Sequence, residues 1–349
     1  MMIRKLSIAG ILATIITPLL LQGAHAANSS LLNSNATDRQ VKLEAAAKAE
    51  GSLTLYTSLA KTDVDPLIKP FEEKYGIKVE VWRAGSDDIL QKVIQEQKAG
   101  RFAVDAIQTS SPELEALSRE NLLQPVNSPY FADLLPGTLP GHHNWAGTFL
   151  AVWVQAYNTG LVKKEDLPKT YKDLLDPKWK GKLGYEADDI DWFMTVIDIM
   201  GKDEGLNFFE KLSAGNGVSV RKGHSLLNNL VVAGEVPLGL TIYNYMPAQA
   251  KQQGAPIDWF AIQPAVARAS GTGVLKNAQH PNAAALFEDY MLSEAQPVLT
   301  TLNYIPTSKK AKSSMEGIEI RVADPAEKLD NLDKWEPLYK KLIIAKGTN

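Results

Sequence analysis

Two tyrosines one residue apart, Tyr243 and Tyr245, close the apolar run PLGLTIYNY. Phenols offer two kinds of chemistry. An ionised phenolate is a hard oxygen ligand for a highly charged cation, and a neutral ring presents a negative face to an organic cation. Side chains two apart on an extended strand share a face, so this spacing predicts that both rings point the same way. Upstream, Glu186, Asp188, Asp189 and Asp191 surround a helix start beside Trp192. Helix capping and dipole compensation account for such a cluster without any ligand. The sharper reading turns Asp188 or Asp191 toward an amine or a metal and, with Tyr243, Tyr245 and Trp153, suits a polyamine-like or thiamine-like cation. A third group has the opposite sign. Arg83, Arg221 and Lys222, helped by Ser58, Ser111 and Ser225 at helix starts, would clamp a carboxylate or phosphonate; solvated surface charge is the competing reading. These opposed clusters leave the ligand open between a cation and an anion.

Hydrolytic chemistry finds less support. There is no cysteine, no H-E-x-x-H zinc pattern and no G-x-S-x-G nucleophile elbow, since Gly223-His224-Ser225 lacks the closing glycine. His142-His143 resembles a metal pair, but adjacent side chains rarely reach one ion, and the neighbouring Pro140-Gly141 indicates a surface loop. His224 and His280 precede helix starts and read as capping or exposed. Paired carboxylates keep an exported hydrolase as the rival from another class. The expectation is a binding protein without turnover.

The elements that must carry these residues alternate along the chain. Ser52 to Thr57, Ile77 to Trp82 and Val104 to Gln108 read as strands. Between and after them, helices are expected over Val64 to Tyr75, from Ser86-Asp87 to Gly100 with Ile89, Leu90, Val93 and Ile94 on one face, and from Ser110-Ser111-Pro112-Glu113 onward. Such repeats imply parallel, doubly wound sheets with ligands at the carboxyl ends of strands. Those ends carry Ser58, Arg83 to Ser86 (including Gly85), and Ser110-Ser111. Trp145 to Tyr157 reads as one long strand. A second cycle follows: strands at Gly181 to Glu186, Val218 to Arg221 and Pro237 to Tyr243, and helices starting at Asp188 and Ser225. Trp259 to Pro264 returns as a strand before a helix over Asn282 to Met291. The layout suggests two lobes joined by extended crossovers near Ala151–Gln155 and Phe260–Pro264, a design for closing over a ligand.

The first residues suggest export. Arg4 and Lys5 precede a mostly apolar stretch from Leu6 to Leu21, and Ala24-His25-Ala26 supplies a small-x-small cleavage site. Residues 1–26 are therefore expected to be a signal peptide, and Ala27 to Gln40 a flexible polar leader before a short helix ending at Gly51. Without cysteine there is neither a lipidation site nor a disulfide framework, so stability must come from hydrophobic cores. The formal net charge is −3, and cleavage would remove two basic residues and no acidic ones. That mild acidity argues against nucleic-acid binding.

On this pattern the chain resembles the periplasmic binding proteins of ferric-ion ABC importers, whose two-lobed architecture is similar to a transferrin lobe. The residues that carry the resemblance are SLTLYTS, PFEEKYGIKVEVW, DLLDPKWKGKLGYE, LVVAGEVPLGLTIYNYMPAQAKQQGAP and SGTGVLKNAQHPNAAALFEDYMLSEAQ. It implies an α/β, type II-like periplasmic-binding-protein fold, mixed sheets flanked by helices, with the ligand cleft between lobes. Lobe 1 is expected over 51–150 plus 261–305 and lobe 2 over 151–260. A C-terminal helical segment over 306–349 is expected to pack on lobe 2. The implied protein is a soluble, periplasmic, monomeric receptor that hands its ligand to a membrane permease, requires no cofactor and carries Fe3+ as cargo with a synergistic anion. In that family two adjacent tyrosines ligate the ion, which implies Tyr243 and Tyr245 as metal ligands. Here the pair is split by Asn244, Leu59-Ala60 stands where a histidine is usual, and Arg83 stands where an acid would help. Expected contacts are Ser58, Arg83, Gly85, Ser86, Ser110 and Ser111 from one side, and Asp188, Asp191, Ser225, Tyr243 and Tyr245 from the other.

Overall fold

The computed structural model describes residues 31–345; the expected signal peptide lies outside the described residues. Among the described residues twelve strands form one continuous pairing network. The first part alternates as expected: α1 (Arg39–Glu50), β1 (Ser52–Thr57), α2 (Lys61–Tyr75), β2 (Lys78–Arg83), α3 (Ser86–Lys98), β3 (Ala106–Ser110) and α4 (Ser111–Arg119). Strands β1, β2 and β3 are parallel. Helix α3 buries Ile89 and Val93, four residues apart, and places Asp87 and Asp88 in its first turn, where the helix dipole favours negative charge.

After the short β4 (Leu123–Gln124) comes β5 (Ala146–Asn158), buried along its whole length. The second cycle contains β6 (Leu183–Glu186), α5 (Ile190–Met200), α6 (Lys202–Gly215), β7 (Ser219–Arg221), α7 (His224–Ala233), β8 (Leu238–Tyr243), α8 (Tyr245–Gln252) and β9 (Ile257–Phe260). The chain then returns through β10 (Ala265–Leu275), α9 (Pro281–Leu292), α10 (Ala295–Thr301), β11 (Ile305–Pro306), β12 (Ile320–Val322) and α11 (Pro325–Tyr339). The strand path is β2-β1-β3-β10-β5-β8-β6-β7. Strand β5 belongs to both halves of this mixed, two-lobed α/β fold: up to Val152 it pairs with β10, and from Trp153 it pairs with β8 and β9.

Three expectations change. The strand expected over Trp259 to Pro264 is the shorter β9, and the major strand of this region is β10, unrecognised from the sequence because Arg268, Ser270, Gly271, Thr272 and Gly273 break its hydrophobic run. Small residues are needed there. A Cβ on Gly271 would strike the backbone of Ala146 where the β5–β10 register shifts. The expected flexible leader is docked from residue 31 onward: Leu32 is fully buried, and Arg39 pairs with the buried Asp289 at 2.6 Å. The 306–349 segment is not simply helical and not confined to one side. Its strand β12 extends β10, while α11 joins Arg119 of α4 through Asp330 and packs Trp335 and Tyr339 on Phe193 of α5.

Candidate binding cleft

Where β1, β2 and β3 end, the chain turns into helix N-termini, and β8 meets them from the other half. A cavity of about 320 Å³ lies between them. Ser58, Arg83, Gly85, Ser86 and Ser110 line one side; Gly223, His224, Ser225, Tyr243 and Tyr245 line the other. Arg268 and Ser270 from β10, with Phe149 and Tyr304, close the wall. Of the expected contacts, Ser58, Arg83, Gly85, Ser86, Ser110, Ser225, Tyr243 and Tyr245 are brought together here. Asp188 lies in an adjoining annex. Ser111 is buried in the first turn of α4, and Asp191 sits behind Arg268; neither lines the cavity.

The tyrosines are not on one strand. Tyr243 ends β8, Asn244 turns the chain with helical dihedrals, and Tyr245 opens α8. Their rings nevertheless stack, with centroids 6.0 Å apart and planes 18° apart. Asn244 points away from them into the protein, where it accepts from Val152 N and donates to Asn303 O. The residue that splits the pair is thus a brace between β8, β5 and the β11 turn. Tyr304 packs on Tyr245 at 4.3 Å and donates to Asp63 at 2.7 Å.

Arg268 is the residue sequence reasoning missed. Its guanidinium donates to Asp191 at 3.0 Å and to the Tyr243 hydroxyl, and it lies over the Trp153 ring at 5.2 Å. The one available signal was a lone arginine within the otherwise small and apolar run AVARASGTGVL. Burial opposes the Asp191 charge, yet Arg268 beside it holds that carboxyl below its usual range. Arg83 is anchored through Nε to Leu59 O at 2.8 Å, which aims the rest of its fork at the cavity. The serines are pre-arranged as well: Ser86 bonds Ser110 at 3.0 Å, Ser58 accepts from Thr109, and Ser270 accepts from Gln108.

His224 is neither exposed nor a simple cap. Its ring stacks on Tyr243 at 4.0 Å and its Nε2 reaches Asp189 at 3.0 Å. Burial works against its charge, but the Asp189 and Glu186 carboxylates together outweigh that and raise its pKa. Glu186 accepts the backbone N–H groups of Asp188 and Gly223, each at 2.7 Å, and burial together with Asp189 pushes it up to about 7. Glu186, Asp189 and His224 place ligand atoms within 4.8 Å of one another, but these atoms are largely committed to one another and to the backbone. Burial raises Tyr243 well above its ordinary value, with Arg268 only partly offsetting it, and burial raises Tyr245 too. A metal ion ligated by these phenols would therefore have to displace protons from both.

Among the described residues the lining contains two arginines and five serines and no carboxylate. Helix N-termini at α3, α4 and α7 face the same space. Positive charge, hydroxyl donors and free backbone N–H groups together favour an oxyanion.

The comparisons with known proteins fit this architecture. A family model described as bacterial extracellular solute-binding protein matches residues 66–326. An Fe(3+)-binding periplasmic protein from Serratia marcescens is 25% identical over 270 residues, covering 74% of this chain and 79% of that protein. The structure of iron-bound HitA from Pseudomonas aeruginosa has a TM-score of 0.71 at 25% identity, over 83% of this chain and 99% of that one. AfuA from Actinobacillus pleuropneumoniae, with fructose-6-phosphate bound, has a TM-score of 0.70 at 23% identity, over 83% and 97%.

Proposed function

Because the chain belongs to the bacterial extracellular solute-binding protein family, we propose that it is the periplasmic receptor of an ABC importer and holds its cargo through an oxyanion group. The observation that carries this is the lining of the cavity, with Arg83 and Arg268 facing serine hydroxyls and no carboxylate among them. A phosphate, phosphonate or carboxylate on Arg83, Arg268, Ser86 and Ser110 receives charge-assisted bonds from one half of the fold, and Ser225 and the start of α7 add donors from the other, so binding favours a closed arrangement. The β5 segment around Ala151–Gln155, where strand partners change, and the Phe260–Pro264 link before β10 are the proposed hinges. The protein binds without chemical turnover, works as a monomer, and reaches the periplasm after cleavage near Ala26. Among the described residues no helix is long and apolar enough to cross a membrane.

A second reading is favoured by the stacked Tyr243 and Tyr245 rings at the cavity and by the iron-binding relatives. In it ferric ion is the transported cargo, not a cofactor. Because the cavity has no carboxylate, the ion enters with a synergistic anion such as citrate or phosphate, the anion on the arginines and the metal on the phenols.

Calorimetric titration of chelator-washed protein with citrate, ferric citrate and a panel of phosphate monoesters separates these readings. Binding of a metal-free anion supports the first. A visible tyrosinate-to-iron band that appears only with ferric citrate, with a mass gain of one iron, establishes the second. If no anion binds with or without iron, the oxyanion site does not exist.

A further inference from the structure

Two crossings of the chain between its halves carry the proposed hinges. Among the described residues there is a third, at the C-terminal end. Strand β12 extends the first half's sheet along β10, and the Ala323 N–H still donates to Ala267 O at 2.8 Å. The next residue, Asp324, caps α11, and α11 ends in the core of the other half. There Trp335 and Tyr339 are buried against Phe193 of α5, and the Tyr339 hydroxyl donates to Ala187 O at 2.9 Å. Leu342 and Ile343 are buried just beyond. A helix of 15 residues is a stiff rod about 22 Å long. Movement of one half is therefore felt at both of its ends.

The two ends are held differently. The C-terminal end is fixed by aromatic burial, which a small rearrangement does not undo. The N-terminal half lies beside α4, where Lys328 and Glu113 both line the annex, and its polar grip is one ion pair. Asp330 accepts from Arg119 Nη1 at 2.5 Å, with 60% and 39% of the two side chains exposed. Arg119 is set up for this. Its Nε donates to Glu115 at 3.2 Å, and Glu115, only 8% exposed, is itself braced by Trp145 Nε1 at 3.2 Å and His142 at 3.0 Å. An exposed ion pair adds little to overall stability. Between two folded arrangements of similar energy, the same small increment shifts populations severalfold.

From this asymmetry we infer that α11 is a clasp between the halves. It rides with α5, and its Asp330 engages Arg119 of α4 when the halves approach and releases it when they part. This rests on the closing motion proposed above and adds the element that biases it. The pivot is the junction at Asp324-Pro325, the first residues past the last sheet hydrogen bond of β12.

Spin labels test the clasp without any ligand. The native chain has no cysteine, so Lys98→Cys on α3 and Lys202→Cys on α6, both exposed and in opposite halves, are the only labelled sites. Double electron–electron resonance then reads the distance between the halves in the free mature protein. Asp330→Lys should raise the population of open, longer distances by about threefold or more, the effect of turning an exposed attraction into a repulsion. Arg119→Gln, on the opposite helix, should do the same to a lesser degree. Asp330→Glu should keep the native distribution, and the urea midpoint should stay within error in all three. A broad distribution that is the same in the native protein and in every variant overturns the clasp and leaves hinge closure standing. A shift that Asp330→Glu produces as strongly as Asp330→Lys also overturns it, because charge is then not the cause. One narrow distance throughout overturns the clasp together with the closing motion.

Discussion

At the scale of single residues, the site turns on Arg268 and the carboxylate behind it. Among the described residues Asp191 is buried and ion-paired only with that guanidinium, and its second oxygen has no hydrogen-bond partner. Arg268→Met should therefore do two things: abolish oxyanion binding, and destabilise the fold by about 3–5 kcal/mol, because an uncompensated carboxylate remains inside. Urea denaturation beside calorimetry reads both. Arg83→Ala offers the contrast. Arg83 is exposed, so affinity should fall by about tenfold or more while the urea midpoint stays within error. An equal loss of stability in both variants would contradict the division of labour drawn here. Arg83 was legible in the sequence because it follows a recognisable strand at the position where α/β sheets bind ligands. Arg268 was not, because its importance comes from Asp191, Tyr243 and Trp153, which lie 77, 25 and 115 positions away in the chain and meet it only in three dimensions.

At the scale of elements, the turn from β6 into α5 is a titrating device as well as a connection. Glu186 is pushed up to about 7 from an ordinary value of 4.5, and His224 is raised from 6.5. Each group holds its proton longer folded than unfolded. The stability each contributes is complete below its unfolded pKa and is lost as pH rises through its folded pKa. The two windows follow one another: stability falls through Glu186 as pH climbs from about 4.5 to about 7, and through His224 from about 6.5 upward. Glu186→Gln should flatten the acid part of that slope, seen in urea midpoints at about pH 5, 6, 7 and 8; an unchanged slope would exclude Glu186 as the source. Strand packing gives an independent test. Gly271→Ala drives a methyl into the Ala146 backbone at the β5–β10 bulge and should cost about 1–3 kcal/mol, the usual penalty of overpacking. The βα cycles before Ser111 were readable because hydrophobic spacing, proline and capping residues all agree there. Strand β10 was not, since a strand buried on both faces and pressed against another backbone needs small residues, and these erase the alternation by which strands are recognised.

At the scale of the molecule, a ligand that bridges Arg83, Ser86 and Arg268 with Ser225 and Tyr243 draws the two halves together. Small-angle scattering should show a smaller radius of gyration when a saturating phosphate monoester is added, and no change with an uncharged sugar of the same size. At about a thousandfold excess over Kd the same ligand should stabilise the fold by about 4 kcal/mol. Stabilisation without compaction would mean that the cavity is already closed in the free protein. Residue order alone settles the α/β class, the repeated strand–helix units and the polar strand ends, because those depend on neighbours within a few turns of chain. The charge of the cleft is different. It depends on which of many acids and bases end up paired, and pairing is decided by contacts across the fold. Only there does Asp191 become the counter-ion of Arg268, Asn244 a brace and His224 a partner of Asp189, leaving Arg83 to face the cavity and Glu113 to face the annex.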